Sequence, residues 1–78
     1  MKRENEIATC VRKAMDDYFQ HLDGEKPGAI YEMVVHCVEK PLLEMILHHA
    51  EGNQTRAAEL LGLNRNTLRK KMKIHGIK

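Results

Sequence analysis

The stretch Gly52–Lys78, GNQTRAAELLGLNRNTLRKKMKIHGIK, decides the fold. It reads as two short helices joined by a tight turn. Asn53 is placed to cap the first, since its side-chain oxygen can accept an orphan backbone N–H at the helix start. Ala57, Ala58, Leu60 and Leu61 give that helix one small-plus-apolar face. Gly62 supplies the left-handed residue that turns the chain, and Asn64 stands where a second cap is needed. Leu68 and Met72, four apart, put an apolar ridge on the second helix. Its other faces carry Arg65, Asn66, Thr67, Arg69, Lys70, Lys71 and Lys73.

Ala58 lets the two helices approach closely, and Leu68 is expected to fall into the groove between them. This is the arrangement of a helix-turn-helix, whose second helix enters the major groove of DNA. From Arg65 to Lys78 there are six Lys or Arg and no Asp or Glu. Such a surface attracts phosphates and releases counterions on binding. Asn64, Arg65, Asn66 and Thr67 occupy the helix end that faces base edges. A basic helix that is only a solvated face explains each feature singly. The turn, the caps, the ridge and the one-sided charge together favour DNA.

Working outward, the 78 residues make a single domain, 1–78, with two helices over 5–50 and the helix-turn-helix over 52–78. A chain this small is marginal as a lone monomer. Only Tyr18, Phe19 and Tyr31 are aromatic. Residues 1–50 hold six Lys/Arg and nine Asp/Glu, a balance of −3, and residues 51–78 hold seven and two, a balance of +5. A mildly acidic body with a basic end suits a chain that meets nucleic acid at that end. No apolar run is long enough for a membrane span and the start, MKRENE, is not a signal peptide, so a cytoplasmic protein with no membrane partner is expected.

Asn5 caps a first helix running to about His21, in which Ile7, Val11, Met15, Tyr18 and Leu22 recur every three or four residues. Asp23-Gly24 ends it, Glu25-Lys26-Pro27-Gly28 forms a loop, and Met1–Glu4 is a frayed start. A second helix is expected from about Ala29 to His49. Its apolar set includes Ile30, Met33, Val34, Val35, Cys37, Val38, Leu42, Leu43, Met45, Ile46 and Leu47, too wide a stripe for one neighbour. A second copy of the chain is the natural cover, giving a two-fold dimer with a four-helix core. Pro41 either kinks this helix or breaks it. The apolar period continues in phase past it, which favours the kink.

The remaining chemistry is sparse. Cys10 and Cys37 lie on apolar helix faces and are expected to be small buried hydrophobes. The five histidines have no chelating spacing, so neither a metal nor another cofactor is expected. No paired carboxylates, nucleophile–base set or phosphate-cradling glycine loop appears, which argues against an enzyme.

The run GNQTRAAELLGLNRNTLRKKMK, preceded by YEMVVHCVEKPLLEMIL, resembles the Fis family (factor for inversion stimulation) from about Val11 to Lys78. GNQTRAA and NRxTLRKK are the specific segments. The C-terminal part is also similar to the DNA-binding tail of bacterial enhancer-binding activators, but the VE-x-PLLE segment and the free-standing length favour Fis. The resemblance implies an all-α, intertwined homodimer of four helices per chain, a nucleoid-associated regulator that bends double-stranded DNA. It implies a degenerate site with a G·C pair near each end and an A/T-rich centre. By position, Arg65 looks like the base-reading arginine and Asn64 its companion. Asn53, Thr55, Thr67, Arg69, Lys70 and Lys73 look like backbone contacts. The short N-terminus lacks the family's β-hairpin arms, which argues against stimulating a DNA invertase. Ile74 and Glu51 stand where family members carry cations, which implies weaker flanking contacts. The alternative function is a protein-interaction dimer, or a detached activator-like tail without regulatory specificity of its own.

Overall fold

The computed structural model describes residues 5–22, 24 and 26–78. It is all-α, with helices α1 (Glu6–Gln20), α2 (Ile30–His49), α3 (Gln54–Leu61) and α4 (Arg65–Ile74), and no strand among the described residues. The frayed start at Met1–Glu4, the stop at Asp23 and the loop residue Glu25 fall outside the described residues. The chain divides into two compact units, 1–30 and 31–78.

In the first unit, Asn5 caps α1 by accepting the Ala8 N–H at 2.8 Å. At the other end, the His21 N–H reaches the Asp17 and Tyr18 carbonyls, and the His21 ring Nδ1 lies 2.7 Å from the Asp17 oxygen. The helix thus closes at His21, before the Asp23-Gly24 stop. No α1 side chain is fully buried. Val11, Met15, Tyr18 and Leu22 are half-buried, as their spacing predicts, but Ile7 is exposed.

The second unit contains the core. Leu43, Leu47 and Ala50 from α2 and its end meet Ala57 and Ala58 of α3 and Leu68 and Met72 of α4, with Ile46, Leu61 and Ile77 packed around them. Ala57 and Leu68 have no solvent-exposed surface. A larger side chain at either alanine would hold the two helices apart. Leu60, expected on the buried face of α3, is instead 53% exposed. At 3.6 residues per turn it lies about 110° round the helix from the middle of the Ala57–Ala58–Leu61 arc, beyond the packed side.

Three helices in succession end in the same hydrogen-bonding motif. At the end of α3, the Leu63 N–H donates to the Ala58 carbonyl at 2.9 Å and the Gly62 N–H to that of Glu59 at 3.2 Å. Gly62 has φ 75°, the left-handed conformation this motif needs. α4 closes likewise through Ile77 and Gly76. α2 closes through Gly52 and Glu51, and here the left-handed residue is Glu51, with φ 55°. Gly52 follows with φ 82°, so the left-handed turn after α2 begins on a side chain that tolerates it less well than glycine does.

α2 runs unbroken through Pro41. The proline lacks an N–H, so the Cys37 carbonyl loses its helical donor, yet packing of Leu43 and Leu47 beyond it keeps the helix in register. Both cysteines, expected to be buried, are exposed. Cys37 lies on a part of α2 that neither α3 nor α4 covers.

One polar cluster joins α2 to α4. The Glu39 carboxylate receives Lys71 Nζ at 2.6 Å on Oε2 and His75 Nε2 at 2.9 Å on Oε1. Since a carboxylate only accepts, the His75 hydrogen resides on Nε2. The His75 side chain is fully buried, with the His36 ring centroid 4.4 Å away. Its Nδ1 is the one buried side-chain nitrogen or oxygen without a partner among the described residues. Hydrogen bonds from Lys71 and then His75 hold the Glu39 carboxyl below the usual carboxylate range.

Two outcomes follow from this packing. Leu68→Ala should lower the unfolding free energy by about 2–5 kcal/mol, whereas Leu60→Ala should stay within about 0.5 kcal/mol, both measured by urea denaturation at fixed chain concentration. A depressed carboxyl contributes stability above its unfolded value and loses it as pH falls through the folded one. The stability gap between wild type and Glu39→Gln should therefore be full above pH 4.5 and shrink below it, in urea midpoints taken across the acid range.

Candidate nucleic-acid interface

α4 begins at Asn64, whose side-chain oxygen accepts the Asn66 N–H at 2.8 Å. That oxygen is therefore committed to capping, and what Asn64 offers outward is its side-chain NH2. Arg65 is the first helical residue and is exposed. At 3.6 residues per turn, Arg65, Asn66, Arg69, Lys70 and Lys73 fall within an arc of about 140°, and all five are exposed. The opposite stripe, Leu68, Lys71, Met72 and His75, faces the protein. The helix is thus divided lengthwise into a side that packs and a side that carries charge.

A shallow depression runs along the charged side, lined by Asn66, Arg69, Lys70 and Lys73. A second is lined by Gln54, Arg69, Met72, Lys73, Ile77 and Lys78. It brings the start of α3 beside the middle of α4. Asn53 caps α3, accepting the Arg56 N–H at 3.1 Å, and Thr55 is exposed in its first turn. The open backbone N–H groups of a helix start suit an anion, and cations alongside reinforce them.

The sequence-expected residues therefore separate into groups. Arg65, Arg69, Lys70 and Lys73 share one face of α4, with Asn64 at its head. Asn53 and Thr55 lie at the α3 start, next to the Arg69–Lys73 end of that face. Thr67 is half-buried and falls outside the arc. Lys71, counted by sequence among the outward cations, turns inward to Glu39. Sequence reasoning missed Glu39, His36 and His75 as a cluster. A signal existed: Glu39, Leu43 and Leu47 are spaced by four on α2, so the acid lies in line with the two buried leucines. On α4, Lys71 and His75 are likewise four apart, within the Leu68–Met72 stripe.

No helix among the described residues is long and apolar enough to cross a membrane. Residues 36–74 match the family described as bacterial regulatory protein, Fis family. The chain is 49% identical over 73 residues to a "Putative Fis-like DNA-binding protein" of Ralstonia nicotianae, covering 94% of this chain and 95% of the relative. A protein of the same description from Neisseria meningitidis serogroup A is 49% identical over 72 residues, covering 92% of this chain and 91% of its own length. The basic face, the two capped helices and these likenesses over nearly the full length agree: this chain belongs to the Fis family of DNA-binding bacterial regulatory proteins, and not to an enzyme family.

Proposed function

We propose that the protein is a homodimeric, DNA-bending regulator of the bacterial nucleoid, hence cytoplasmic, built as one domain over residues 1–78. The observation that carries this reading is the lengthwise division of α4. A helix held on one side by Leu68, Met72, Lys71 and His75 presents Arg65, Arg69, Lys70 and Lys73 on the other. Arg65 reads a guanine edge near each end of the site, with Asn64 beside it. Asn53, Thr55, Thr67, Arg69, Lys70 and Lys73 position the backbone.

The dimer is supported by what α2 leaves open. Tyr31 is 81% exposed, Met45 56%, Leu42 45% and Val38 42%. Buried α2 side chains are confined to Leu43 and Leu47. So much exposed apolar surface on one helix marks an interface, and a second α2 meets it with the same residues across a two-fold axis. Bending follows from the rigid mount. Only Ala50, Glu51 and Gly52 separate α2 from the Asn53 cap, so the spacing of the reading heads is fixed by the protein, and a spacing shorter than one helical repeat (~34 Å) requires the DNA to bend. The A/T-rich centre is then selected by its deformability and minor-groove width.

A mobility-shift titration tests the reading, using an A/T-centred duplex with G·C ends against a scrambled one at two salt concentrations. Wild type should prefer the designed duplex. Arg65→Ala should lose that preference, about 5- to 150-fold for a bidentate arginine–guanine pair, while sedimenting as the wild type does. Lys70→Gln and Lys73→Gln should each flatten the slope of log affinity against log salt by up to about 1.8, about 0.9 for each of the two copies in the dimer. Equal binding of both duplexes by both proteins would leave only a phosphate-sticky surface and send the search to a protein partner. In sedimentation, wild type should run at twice its 9.0 kDa chain mass, and Val38→Asp with Leu42→Asp should run as a monomer. A monomeric wild type would refute the dimer.

A further inference from the structure

We infer that Glu39 is a positioning residue for DNA reading, acting through Lys71 and His75 to set the rotation of α4 and to withhold Lys71 from the phosphates. The inference rests on the DNA-reading role proposed for α4. Glu39 touches no part of the basic face. It stands on α2, and its two carboxylate oxygens take one donor each from residues one helical turn apart on α4.

Two donors four residues apart, held on one carboxylate, add a directional constraint on α4 to that of the apolar contacts. Leu68 and Met72 fill a groove, and dispersion contacts there are non-directional. The carboxylate pair opposes a roll of α4, because charge-assisted hydrogen bonds are short and directional. Rolling α4 would sweep the Arg65 side of the helix across the groove. Arg65 needs two aligned hydrogen bonds to a guanine edge, so its preference is the property most sensitive to the roll. Phosphate contacts by the longer, flexible lysines are less sensitive.

Lys71 supplies the second half. It is one of six cations between Arg65 and Lys78, yet its Nζ is 2.6 Å from Glu39 and its side chain only 31% exposed. An ammonium so engaged releases no counterion when DNA binds. The groups that face this carboxylate from α4 are Lys71 and His75, and His36 lies behind His75 on α2 itself. Neutralising Glu39 thus does two things: it loosens the roll of α4, and it releases the Lys71 ammonium from the inward stripe so that its long side chain can swing out toward phosphate.

These effects have opposite signatures, which separates them from simple destabilisation. In the same mobility-shift assay, Glu39→Gln should lower the preference for the designed duplex by at least about threefold. It should also steepen the salt slope by up to about 1.8, about 0.9 for each Lys71 of the dimer that becomes available. Lys71→Gln should lower the preference with the slope unchanged, and the double variant Glu39→Gln/Lys71→Gln should return the slope to the wild-type value. Circular dichroism at the assay temperature verifies that each variant is folded. If Glu39→Gln does not fold, Lys71→Gln decides. A Lys71→Gln slope flattened as Lys70→Gln flattens it would make Lys71 a phosphate contact and overturn the inference. A folded Glu39→Gln with full preference and unchanged slope, but a lower melting temperature, would reduce Glu39 to a structural ion pair. A wild type without preference would sink the DNA reading as well, whereas a preference that responds to Arg65→Ala but not to Glu39→Gln sinks this inference alone.

Discussion

The close approach of α3 and α4 is the constraint on which the second unit depends. It is possible because α3 presents Ala57 and Ala58 where the helices meet, and Leu68 of α4 fills the space those methyl groups leave. Leu68 is fully buried in a unit with few buried residues, so its removal leaves a cavity that so small a core cannot close. Gly62 makes the approach reachable. Its left-handed φ reverses the chain within the two residues that separate α3 from the Asn64 cap.

The second constraint is a division of labour on α4. A helix that packs must bury a stripe, and a helix that meets DNA must expose cations. α4 does both in ten residues by placing the two sets on different arcs. Because the inward stripe includes the half-buried Lys71 and continues into His75 at the C-cap, the division is maintained by an ion pair as well as by apolar packing. That makes α2 part of the reading unit. It contributes two leucines to the core, a carboxylate to the back of α4, and an apolar face that remains open.

α2 also shows how local rules yield to tertiary context. Pro41 should interrupt a helix, and in an isolated peptide it would. Leu43 and Leu47 lie beyond it and are packed into the α3–α4 core, which offsets the lost backbone hydrogen bond. Glu51 is a comparable case. A non-glycine residue in the left-handed region is disfavoured, but the hydrogen bonds that close α2 require that conformation there.

Much of this was legible in the residues. The caps at Asn5, Asn53 and Asn64 are local events, governed by a side chain reaching a backbone N–H two or three residues on. The left-handed Gly62 and the helical periods of α1 and α4 are likewise properties of short segments. The charge asymmetry between halves needs only counting, and GNQTRAA with NRxTLRKK carried the family. What sequence could not decide is which polar residues face inward. Lys71 is one lysine among several in RKKMK, and its inward turn depends on a carboxylate 32 positions away in the chain. The same holds for His75, and for Leu60 and Cys37, whose exposure depends on which side of each helix the neighbours cover. Local spacing determines that a helix forms and where it ends. Only the packed arrangement determines which arc is buried, because that choice is made by partners distant in sequence.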